Sequence, residues 1–377
     1  MRIAVNTRFL ITGKMEGFGW YTHEVFKRIV AQHPEHEFIF IFDRDYDNAF
    51  VYGPNVTAVK AGPKARHPWL FYWWFEKVVP RILKKHKAQL FVSPDGYMSL
   101  RTNIPQIAVI HDLNFEHYPN DLKPHIIRYY KKYFPLFAKK ADHILTVSEF
   151  SKNDIAKTYQ IDPEKITVGY NSADESFKKS ANIIDLRKKF SLENDYFLSV
   201  GSIHARKNIE RLLLAFDKFR QNTQKKVNLV LVGNKYNWTT SMNKTFEGMK
   251  FKNDVIFAGH LTREDLVKAY SGAKALVFPS YFEGFGIPLI EAMQCECPVI
   301  CSNATCFPEV AANAAVYFNA FDVDDMAKTM HEFYIDSALE RDLIEKGKKR
   351  AADFSWDKTA EIVWSVIEKT ARAKKIL

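Results

Sequence analysis

The sequence predicts an α/β fold built from two doubly wound units. Three observations carry this prediction: short apolar runs alternate with amphipathic helical stretches, the alternation pauses near residue 175, and it then resumes. Strands in a continuous β–α alternation usually lie parallel and buried between layers of helices. A chain of 377 residues is also long for a single compact core, so two domains are expected.

The elements of the first half follow from apolar runs of strand length. Five such runs are predicted as strands: Arg2–Asn6, Glu37–Phe42, Gln89–Ser93, Gln106–Ile110 and His143–Val147. Apolar residues at helical spacing between them predict helices at Tyr21–Ala31 and Trp69–Lys85. The N-terminus enters a strand directly, without the long apolar core of a signal peptide.

The second half repeats this organisation after a polar, irregular stretch at Asn171–Ser180, which places the domain boundary at 175–185. The predicted strands that follow are Asp195–Val200, Val227–Val232, Asp254–Phe257, Ala275–Phe278 and Pro298–Cys301. A last helical stretch, Asp357–Ala373, has no strand after it. Because ligands of doubly wound sheets bind beyond the carboxyl ends of the strands, functional residues are expected in the loops that follow strands.

The charge of the chain implies an anionic partner, since the formal net charge is +10 and the pI is near 9.1. Nucleic acid, an anionic membrane surface and a phosphorylated substrate would each satisfy it. The sequence has no zinc-finger, helix-turn-helix or RNP signature, which argues against a nucleic-acid-binding protein. No apolar run approaches the roughly 20 residues that a membrane-spanning helix needs.

All four cysteines fall in one apolar segment, at Cys295, Cys297, Cys301 and Cys306. Their spacing matches no recognised zinc motif, so core cysteines are favoured over a zinc site. With no other cysteine to pair with, they suit a reducing cytoplasm.

The strongest functional signal runs from Phe278 to Met293. A buried strand leads through a Gly-rich turn into a helix that starts at Ile287–Pro288, where proline costs no hydrogen bond. The free amides and the dipole of a helix start favour an anion such as a diphosphate. Glu291 can accept hydrogen bonds from ribose hydroxyls, and Glu283 lies on the other side of this anion site. A tight turn with a charge at the helix start is the structural alternative.

The pair Glu283 and Glu291, with Gly-Phe-Gly-Ile-Pro between them, resembles the signature of the retaining family 4 glycosyltransferases, which have the GT-B fold. Motifs of that family are matched in the expected order by residues 16–22, 110–113, 146–151 and 200–208. Two positions depart from the pattern. Ser202 stands where many relatives have arginine, and residues 170–174 are Tyr-Asn-Ser-Ala-Asp where Pro-Asn-Gly-Val-Asp is usual.

The resemblance implies two Rossmann-like doubly wound domains that face each other across a cleft. Residues 1–175 would form the acceptor-side domain, and residues 183–356 would bind the nucleotide-sugar donor. The C-terminal helix, at 357–377, would pack back on the first domain.

The resemblance also implies the site residues. His111 would orient the reacting sugar through a hydrogen bond to a hydroxyl, and Glu283 would contact the transferred sugar. Arg206 and Lys207 would hold the diphosphate, whose charge grows as the glycosidic bond breaks, and Glu291 would bind the ribose. The remaining donor-binding residues would be Gly17, Gly19, His260, Leu261, Gly284, Phe285, Gly286, Ile287 and Leu289. The structural alternatives are an ordinary turn for the glycines, a solvated surface pair for the two cations and a structural histidine.

The implied activity is the retaining transfer of one sugar from a nucleotide diphosphate to a hydroxyl of a glycan or glycolipid. Attack would occur on the face that the leaving group departs from, and the departing phosphate would help to accept the acceptor proton. The residue types of the Arg-Lys-Asn and His-Asp-Leu motifs resemble those of mannosyltransferases, which favours GDP-mannose as the donor. UDP-glucose or a related UDP-sugar is the alternative. The same scaffold hosts sugar phosphorylases and sugar-nucleotide epimerases. A phosphorylase of the glycogen type would need a pyridoxal-phosphate lysine and a far longer chain, and the five motifs together oppose an epimerase.

No metal and no cofactor are expected. A metal-dependent transferase would need an Asp-x-Asp motif, and the matches at residues 43–45 and 45–47 lie in a polar loop without a partner motif. Arg206, Lys207 and the helix amides would take over the role of the ion.

The aromatic and basic residues of the first domain leave one question open. Trp69–Phe75 is followed by Arg81 and Lys84–Lys87, and a second basic stretch runs from Arg128 to Lys140. Tryptophan and tyrosine beside lysine and arginine suit a membrane surface, whereas a helix could also bury its rings in the core. The expected location is the cytoplasm, with a peripheral contact at the inner face of the membrane left open.

Overall fold

The computed structural model describes residues 1–235 and 237–377. These residues form two compact units, each described here by itself. The first unit comprises Met1–Asn171 and Ser355–Leu377, and the second comprises Ser172–Phe354. The bounds predicted from the sequence are 1–175 with 357–377 for the first unit and 183–356 for the second.

The first unit contains a seven-stranded sheet in which every pairing is parallel, in the order β3-β2-β1-β4-β5-β6-β7. Its strands are β1 (Arg2–Asn6), β2 (Glu37–Phe42), β3 (Val56–Lys60), β4 (Leu90–Ser93), β5 (Gln106–Val109), β6 (His143–Thr146) and β7 (Ile166–Val168). The five predicted strands are confirmed within one residue at each end. The two strands that the prediction lacks, β3 and β7, are the edges of the sheet. Apart from the buried Ile166, their side chains are partly or fully exposed, as expected for edge strands with a weak apolar signal.

The helices of this unit before residue 171 are α1 (Gly17–Gln32), α2 (Pro68–Trp73), α3 (Val79–Lys85), α4 (Asn114–His117), α5 (Pro124–Lys140) and α6 (Glu149–Tyr159). One π-helical turn, Trp74–Val78, joins α2 to α3, so the predicted helix Trp69–Lys85 is continuous in space but not regular. Pro80 lacks the N–H that a regular helix would direct at the carbonyl of residue 76, and the wider turn accommodates this loss.

The second unit contains a six-stranded parallel sheet in the order β10-β9-β8-β11-β12-β13. Its strands are β8 (Asp195–Val200), β9 (Val227–Val232), β10 (Val255–Gly259), β11 (Ala275–Phe278), β12 (Val299–Ser302) and β13 (Ala315–Phe318). The predicted strands are confirmed within two residues, and the one that the prediction lacks, β13, is again a partly exposed edge. The helices are α7 (Ile184–Lys189), α8 (Ile209–Gln221), α9 (Thr240–Gly248), α10 (Arg263–Gly272), α11 (Ile287–Gln294), α12 (Phe307–Ala311), α13 (Val323–Ile335) and α14 (Ser337–Ala351).

The strand orders fix where a ligand can bind in each unit. In both sheets the order reverses direction beside the first strand of the unit, between β1 and β4 and between β8 and β11. Loops that leave such neighbouring strands separate and open a crevice at the carboxyl edge of the sheet. The loops after β8 and β11 contain the basic motif and the Gly-rich turn.

The last helix, α15 (Trp356–Ala373), belongs to the first unit and packs on α1. The ring of Trp356 meets that of Tyr21 edge-on at 6.2 Å, and Arg28 on α1 is paired with Asp357. Among the helices of the described residues, none combines the length and the apolar character needed to cross a membrane. All four cysteines are buried and unpaired.

Candidate active site

The basic loop after β8 ends in a short turn, Ala205–Lys207, and is fixed by Asn208. Asn208 has a left-handed backbone (φ 57°), which asparagine tolerates better than most residues. Its side-chain amide donates to the carbonyl of Pro279 at 3.0 Å and to that of Ala320 at 2.6 Å. Asn208 therefore ties the basic loop to the segments that follow β11 and β13. Asn208 is part of the motif at residues 200–208, but this role is not predicted from the sequence.

Glu283 is buried between the two cations of this loop. The ammonium of Lys207 lies 2.7 Å from Oε1 of Glu283, and the guanidinium of Arg206 pairs with Oε2. Burial by itself would raise the pKa of Glu283, but Arg206 and Lys207 outweigh it and lower this pKa to about 2. The carboxylate is thus ionised at neutral pH, and two positive charges are held at the carboxyl end of β8.

The Gly-rich turn that follows is shaped by its glycines and by the thiol of Cys306. Gly286 adopts φ 96°, and a Cβ there would lie 3.0 Å from the ring of Phe307. The buried thiol of Cys306 contacts the carbonyls of Glu283 and Phe285 at 3.2 and 3.1 Å. The turn, which also includes Gly284, therefore leads into α11 in one defined conformation.

Two of the predicted donor-binding residues, Ile287 and Leu289, lie at the start of α11. Ile287 is half-buried and is followed by Pro288 in the first turn. The side chain of Leu289 is fully buried in the core, and its amide donates to the carbonyl of Gly286 at 3.0 Å. A contact of Leu289 with a donor would therefore have to involve its backbone.

Glu291 lies one turn further along α11 and is half-buried. Its Oε2 accepts a hydrogen bond from the hydroxyl of Tyr270, which is on α10, at 2.8 Å. Burial raises the pKa of Glu291 to about 7, although the bond from Tyr270 and the charges of Arg263 and Lys207 oppose the rise. Tyr270 is absent from the residues that the sequence predicts, because no motif connects it to Glu291.

The ends of β8, β9 and β10 approach one another through glycines. Gly233 has φ 141°, and a Cβ there would lie 2.1 Å from the carbonyl oxygen of Gly201, so no side chain fits. The amide of Gly233 donates to the carbonyl of Gly259 at 2.8 Å. His260 and Leu261 come directly after Gly259, with His260 exposed and Leu261 buried. Both residues therefore lie at the same edge of the sheet as the basic loop.

His111 follows β5 in the first unit. Its Nε2 is 2.8 Å from the carbonyl oxygen of Pro94, and the rings of Phe18 and Tyr21 meet it edge-on at 4.7 and 5.0 Å. A carbonyl can only accept, so Nε2 carries the proton. Burial lowers the pKa of His111 to about 4, although the bond to Pro94 opposes this. The imidazole is therefore neutral at pH 7, and Nδ1 is a hydrogen-bond acceptor.

The two N-terminal glycines differ in what surrounds them. Gly17 begins α1, and no atom lies within 4 Å of where its Cβ would be. At Gly19 a Cβ would lie 2.6 Å from the carbonyl oxygen of Phe9. Glycine at position 19 is therefore explained by packing, whereas at position 17 it leaves open space beside the helix start.

A buried ion pair that no sequence motif predicts orders the loop whose Pro94 carbonyl binds His111. Nε of Arg8 is 2.6 Å from Oδ2 of Asp95, and both side chains are almost fully buried. The guanidinium stacks over the ring of Tyr97 at 4.2 Å, and Asn6 donates to Oδ1 of Asp95 at 2.8 Å. Asp95 directly follows Pro94, so these contacts hold the carbonyl that His111 binds. The sequence signal that could have indicated this pair is Asp95, a charged residue just after the buried strand β4.

The Asp-x-Asp segments have structural partners. Asp43 is buried, accepts from the guanidinium of Arg44 at 2.6 and 2.9 Å and accepts from the amide of Ala65 at 2.8 Å. Asp45 is paired with Lys60, and Asp47 caps a short helical turn. In the described part of the chain, no three His, Cys, Asp or Glu side chains are grouped as metal ligands would be.

Comparison with protein families matches most of the chain in two parts. Residues 15–177 match the model described as Glycosyltransferase Family 4, and residues 182–350 match the model described as Glycosyl transferases group 1. The chain is 33% identical over 275 residues to the O-antigen chain mannosyltransferase RfbU of Salmonella typhimurium, covering 73% of each chain. It is 28% identical over 287 residues to the O-antigen chain mannosyltransferase B of Escherichia coli, again covering 73% of each.

Solved structures share the fold at low sequence identity. Sucrose-phosphate synthase from Thermosynechococcus elongatus superposes with a TM-score of 0.79 at 17% identity, covering 99% of both chains. WaaG, a glycosyltransferase involved in lipopolysaccharide biosynthesis, gives a TM-score of 0.72 at 18% identity, covering 97% of this chain and 99% of that one. These similarities support the GT-B fold.

Proposed function

Because this chain belongs to the family 4 glycosyltransferases, we propose that it transfers mannose from GDP-mannose to a hydroxyl of a glycan or lipid-linked acceptor, with retention of configuration. The observation that carries the proposal is the pairing of Glu283 with both Arg206 and Lys207 beside the turn that opens α11. The choice of mannose is supported by the two relatives named above, both of which are called mannosyltransferases.

The charges of the second unit suit the proposed leaving group. A departing nucleoside diphosphate gains negative charge, and preorganised cations and helix amides stabilise such charge without reorganising during the reaction. Arg206, Lys207 and the start of α11 would supply this stabilisation. Glu291 would accept hydrogen bonds from the ribose. No cofactor or metal takes part in the proposed reaction.

The transfer itself breaks one bond and forms another at the same carbon. The bond from C1 of the sugar to the diphosphate breaks, and a bond from C1 to the acceptor oxygen forms on the same face. The acceptor proton passes to an oxygen of the departing phosphate. Nδ1 of His111 would accept a hydrogen bond from a hydroxyl of the sugar, and Glu283 would contact the sugar as it is transferred.

The nature of the donor is tested by nucleotide-induced stabilisation. A ligand that binds only the folded protein raises the melting temperature by an amount that grows with its concentration relative to its dissociation constant. We expect GDP and GDP-mannose to raise the melting temperature more than UDP and UDP-glucose at equal concentration. A larger rise with the uridine nucleotides would favour a UDP-sugar donor, and no rise with any of the four would contradict the proposal.

The proposal includes peripheral contact with an anionic membrane in the cytoplasm, through the surface formed by α2, α3 and α5. Some rings of the aromatic cluster Trp69–Phe75 are exposed on this surface, and others are buried beneath it. Trp74 is fully buried and donates to the carbonyl of Ala61 at 2.7 Å, whereas Trp69 is 63% exposed, Tyr72 37% and Trp73 38%. The buried ring of Trp74 fits the core interpretation, and the three exposed rings are the ones that the proposed membrane contact would use.

The charge of this surface supports an anionic partner. Residues 64–87 contain seven Lys and Arg and one carboxylate, Glu76, and residues 123–140 contain six Lys and Arg and no carboxylate. All thirteen cations are exposed, whereas Glu76 is buried and accepts from the amide of Leu100 at 2.8 Å. Of these cations, Lys131 lies 4.0 Å from the half-buried carboxylate of Glu116. Exposed rings among so large an excess of cations suit lipid headgroups. The buried, unpaired thiols suit the reducing cytoplasm.

A further inference from the structure

Tyr270 is a fully buried tyrosine whose hydroxyl ends at the proposed ribose-binding carboxylate. It lies on α10, and its Oη is 2.8 Å from Oε2 of Glu291 on α11. The ring of Phe177 packs edge-on against it at 6.0 Å. Packing against Phe177 therefore fixes the ring of Tyr270, and its hydroxyl is directed at Glu291.

The direction of this hydrogen bond is fixed by chemistry. Burial holds the pKa of Tyr270 well above its usual range, so the phenol keeps its proton. When Glu291 is ionised it has no proton and can only accept, so in that form the tyrosine donates. A hydrogen bond to the charged form of an acid favours that form over the neutral one.

The bond leaves most of the carboxylate available to a ligand. A carboxylate has about four lone-pair directions, and Tyr270 uses one of them on Oε2. Neighbouring hydroxyls of a ribose could then be accepted by the remaining directions. Without the tyrosine, the flexible glutamate side chain would lose conformational freedom when the ligand binds, which lowers affinity.

Other charged or titratable groups face Glu291 from each neighbouring element. Arg263 lies on α10 and pairs with Asp174, which precedes α7, at 2.7 Å. Lys207 approaches from the basic loop, and Cys295, whose thiol also interacts with Glu291, directly follows α11. The two cations favour the ionised carboxylate, and Asp174 disfavours it. Tyr270 adds to them a hydrogen bond from a neutral hydroxyl.

We propose that Tyr270 is a positioning residue for donor binding: its hydroxyl holds the carboxylate of Glu291 ionised and oriented to accept the ribose hydroxyls of the donor. The inference rests on the ribose-binding role proposed for Glu291. It adds a residue that contacts no substrate and that acts through the glutamate alone.

The second unit offers a matched control. Tyr196 on β8 is also fully buried, and its hydroxyl donates to the carbonyl of Ala269 at 2.7 Å, which is one residue from Tyr270. Tyr196→Phe and Tyr270→Phe each remove one buried oxygen and one hydrogen bond of similar length. Any effect of general packing or of the stability of α10 should appear in both variants.

The experiment measures GDP and UDP affinity by calorimetry from pH 6 to pH 8.5, with the melting temperature of each variant. We expect Tyr270→Phe to weaken binding of the preferred nucleotide about 5–10-fold at pH 7, the loss of one hydrogen bond. We also expect it to shift the pH at which affinity is half lost upward, because the ionised glutamate loses a donor. Tyr196→Phe should leave affinity and this pH unchanged at a similar melting temperature.

A double-mutant cycle separates this inference from the function it rests on. On a Glu291→Gln background, Tyr270→Phe should cause less than twofold further loss, and the pH dependence should already be gone. If Glu291→Gln alone leaves affinity unchanged, both the ribose role and this inference are wrong. If Glu291→Gln weakens binding but Tyr270→Phe behaves like Tyr196→Phe, or its effect persists on the Gln background, only the positioning role is overturned.

Discussion

The carbonyl oxygen of Pro94 accepts a hydrogen bond from Nε2 of His111 at 2.8 Å, and this contact decides what the histidine can do. Nε2 is engaged, and the ring is neutral because burial lowers its pKa to about 4, so Nδ1 carries no proton and can act only as an acceptor. The buried pair of Arg8 and Asp95 holds the loop of Pro94 in place. A histidine in this state can orient a hydroxyl but is a poor source of protons at pH 7.

His111→Ala should lower kcat about 10–100-fold while donor affinity changes less than about threefold. Interactions that form fully only in the transition state reduce turnover when they are lost, and uniform binding changes KM. Steady-state kinetics with direct donor titration measures both quantities. The control is His143→Gln, which changes a histidine bonded to Thr167 at 2.8 Å in the same unit. Equal losses in kcat and affinity, or a lowered melting temperature, would indicate that His111 has a structural role and does not orient the sugar.

The first unit should lose stability in mild acid. Burial lowers the pKa values of His111 and His143 to about 4, below the usual 6.5, so the folded state binds fewer protons than the unfolded state. The stability they contribute is complete above pH 6.5 and is lost as the pH falls toward 4. Melting curves at half-unit pH steps measure this fall. The melting temperature of His143→Gln should fall less steeply with decreasing pH than that of the wild type. An identical dependence on pH would show that His143 does not cause the loss of stability.

Glu283→Gln should reduce turnover strongly without weakening binding of the nucleoside diphosphate. The carboxylate pairs with both Arg206 and Lys207, so its removal leaves more positive charge for the diphosphate while the proposed contact with the sugar is impaired. We expect a kcat at least about 10-fold lower with GDP affinity equal or tighter. Lys207→Met should have the opposite effect on GDP affinity. A large loss of GDP affinity in Glu283→Gln would show that the glutamate mainly supports the basic loop.

Turnover should survive excess EDTA. The proposed mechanism assigns the charge of the leaving group to Arg206, Lys207 and the amides of α11, and the carboxylates of Asp43 and Asp45 are engaged by Arg44 and Lys60. Initial rates with and without chelator test this directly. Loss of activity in EDTA, with recovery on addition of manganese, would contradict the mechanism.

Trp69→Ala combined with Trp73→Ala should reduce sedimentation with anionic vesicles and leave the melting temperature nearly unchanged, because both rings are exposed. Each nearby cation contributes about 1 kcal/mol at an anionic surface, screened over roughly 10 Å at 0.1 M salt. Binding should therefore also fall with added salt.

The contrasting variant is Trp74→Ala, which should cost about 3–5 kcal/mol of stability because its ring is fully buried. Zwitterionic vesicles are the lipid control. A wild-type protein that ignores anionic vesicles at low salt would rule out this membrane surface and favour a soluble acceptor.

The sequence by itself determined the parallel strands that are buried on both faces, because continuous apolar runs and helical periodicity are local properties. It also placed Glu283 and Glu291 on either side of a turn, since their spacing spans one strand end and one helix start. The edge strands β3, β7 and β13 escaped prediction because their half-exposed side chains weaken the apolar signal.

Only the tertiary structure decided which side chains meet. Tyr270 and Glu291 are 21 residues apart, and Arg8 and Asp95 are 87 apart. Each contact depends on the order of strands and on how helices pack, which no local pattern encodes. The same holds for Trp73 and Trp74: they are adjacent in sequence, yet the turn between α2 and α3 exposes one ring and buries the other, because successive helical side chains point in different directions.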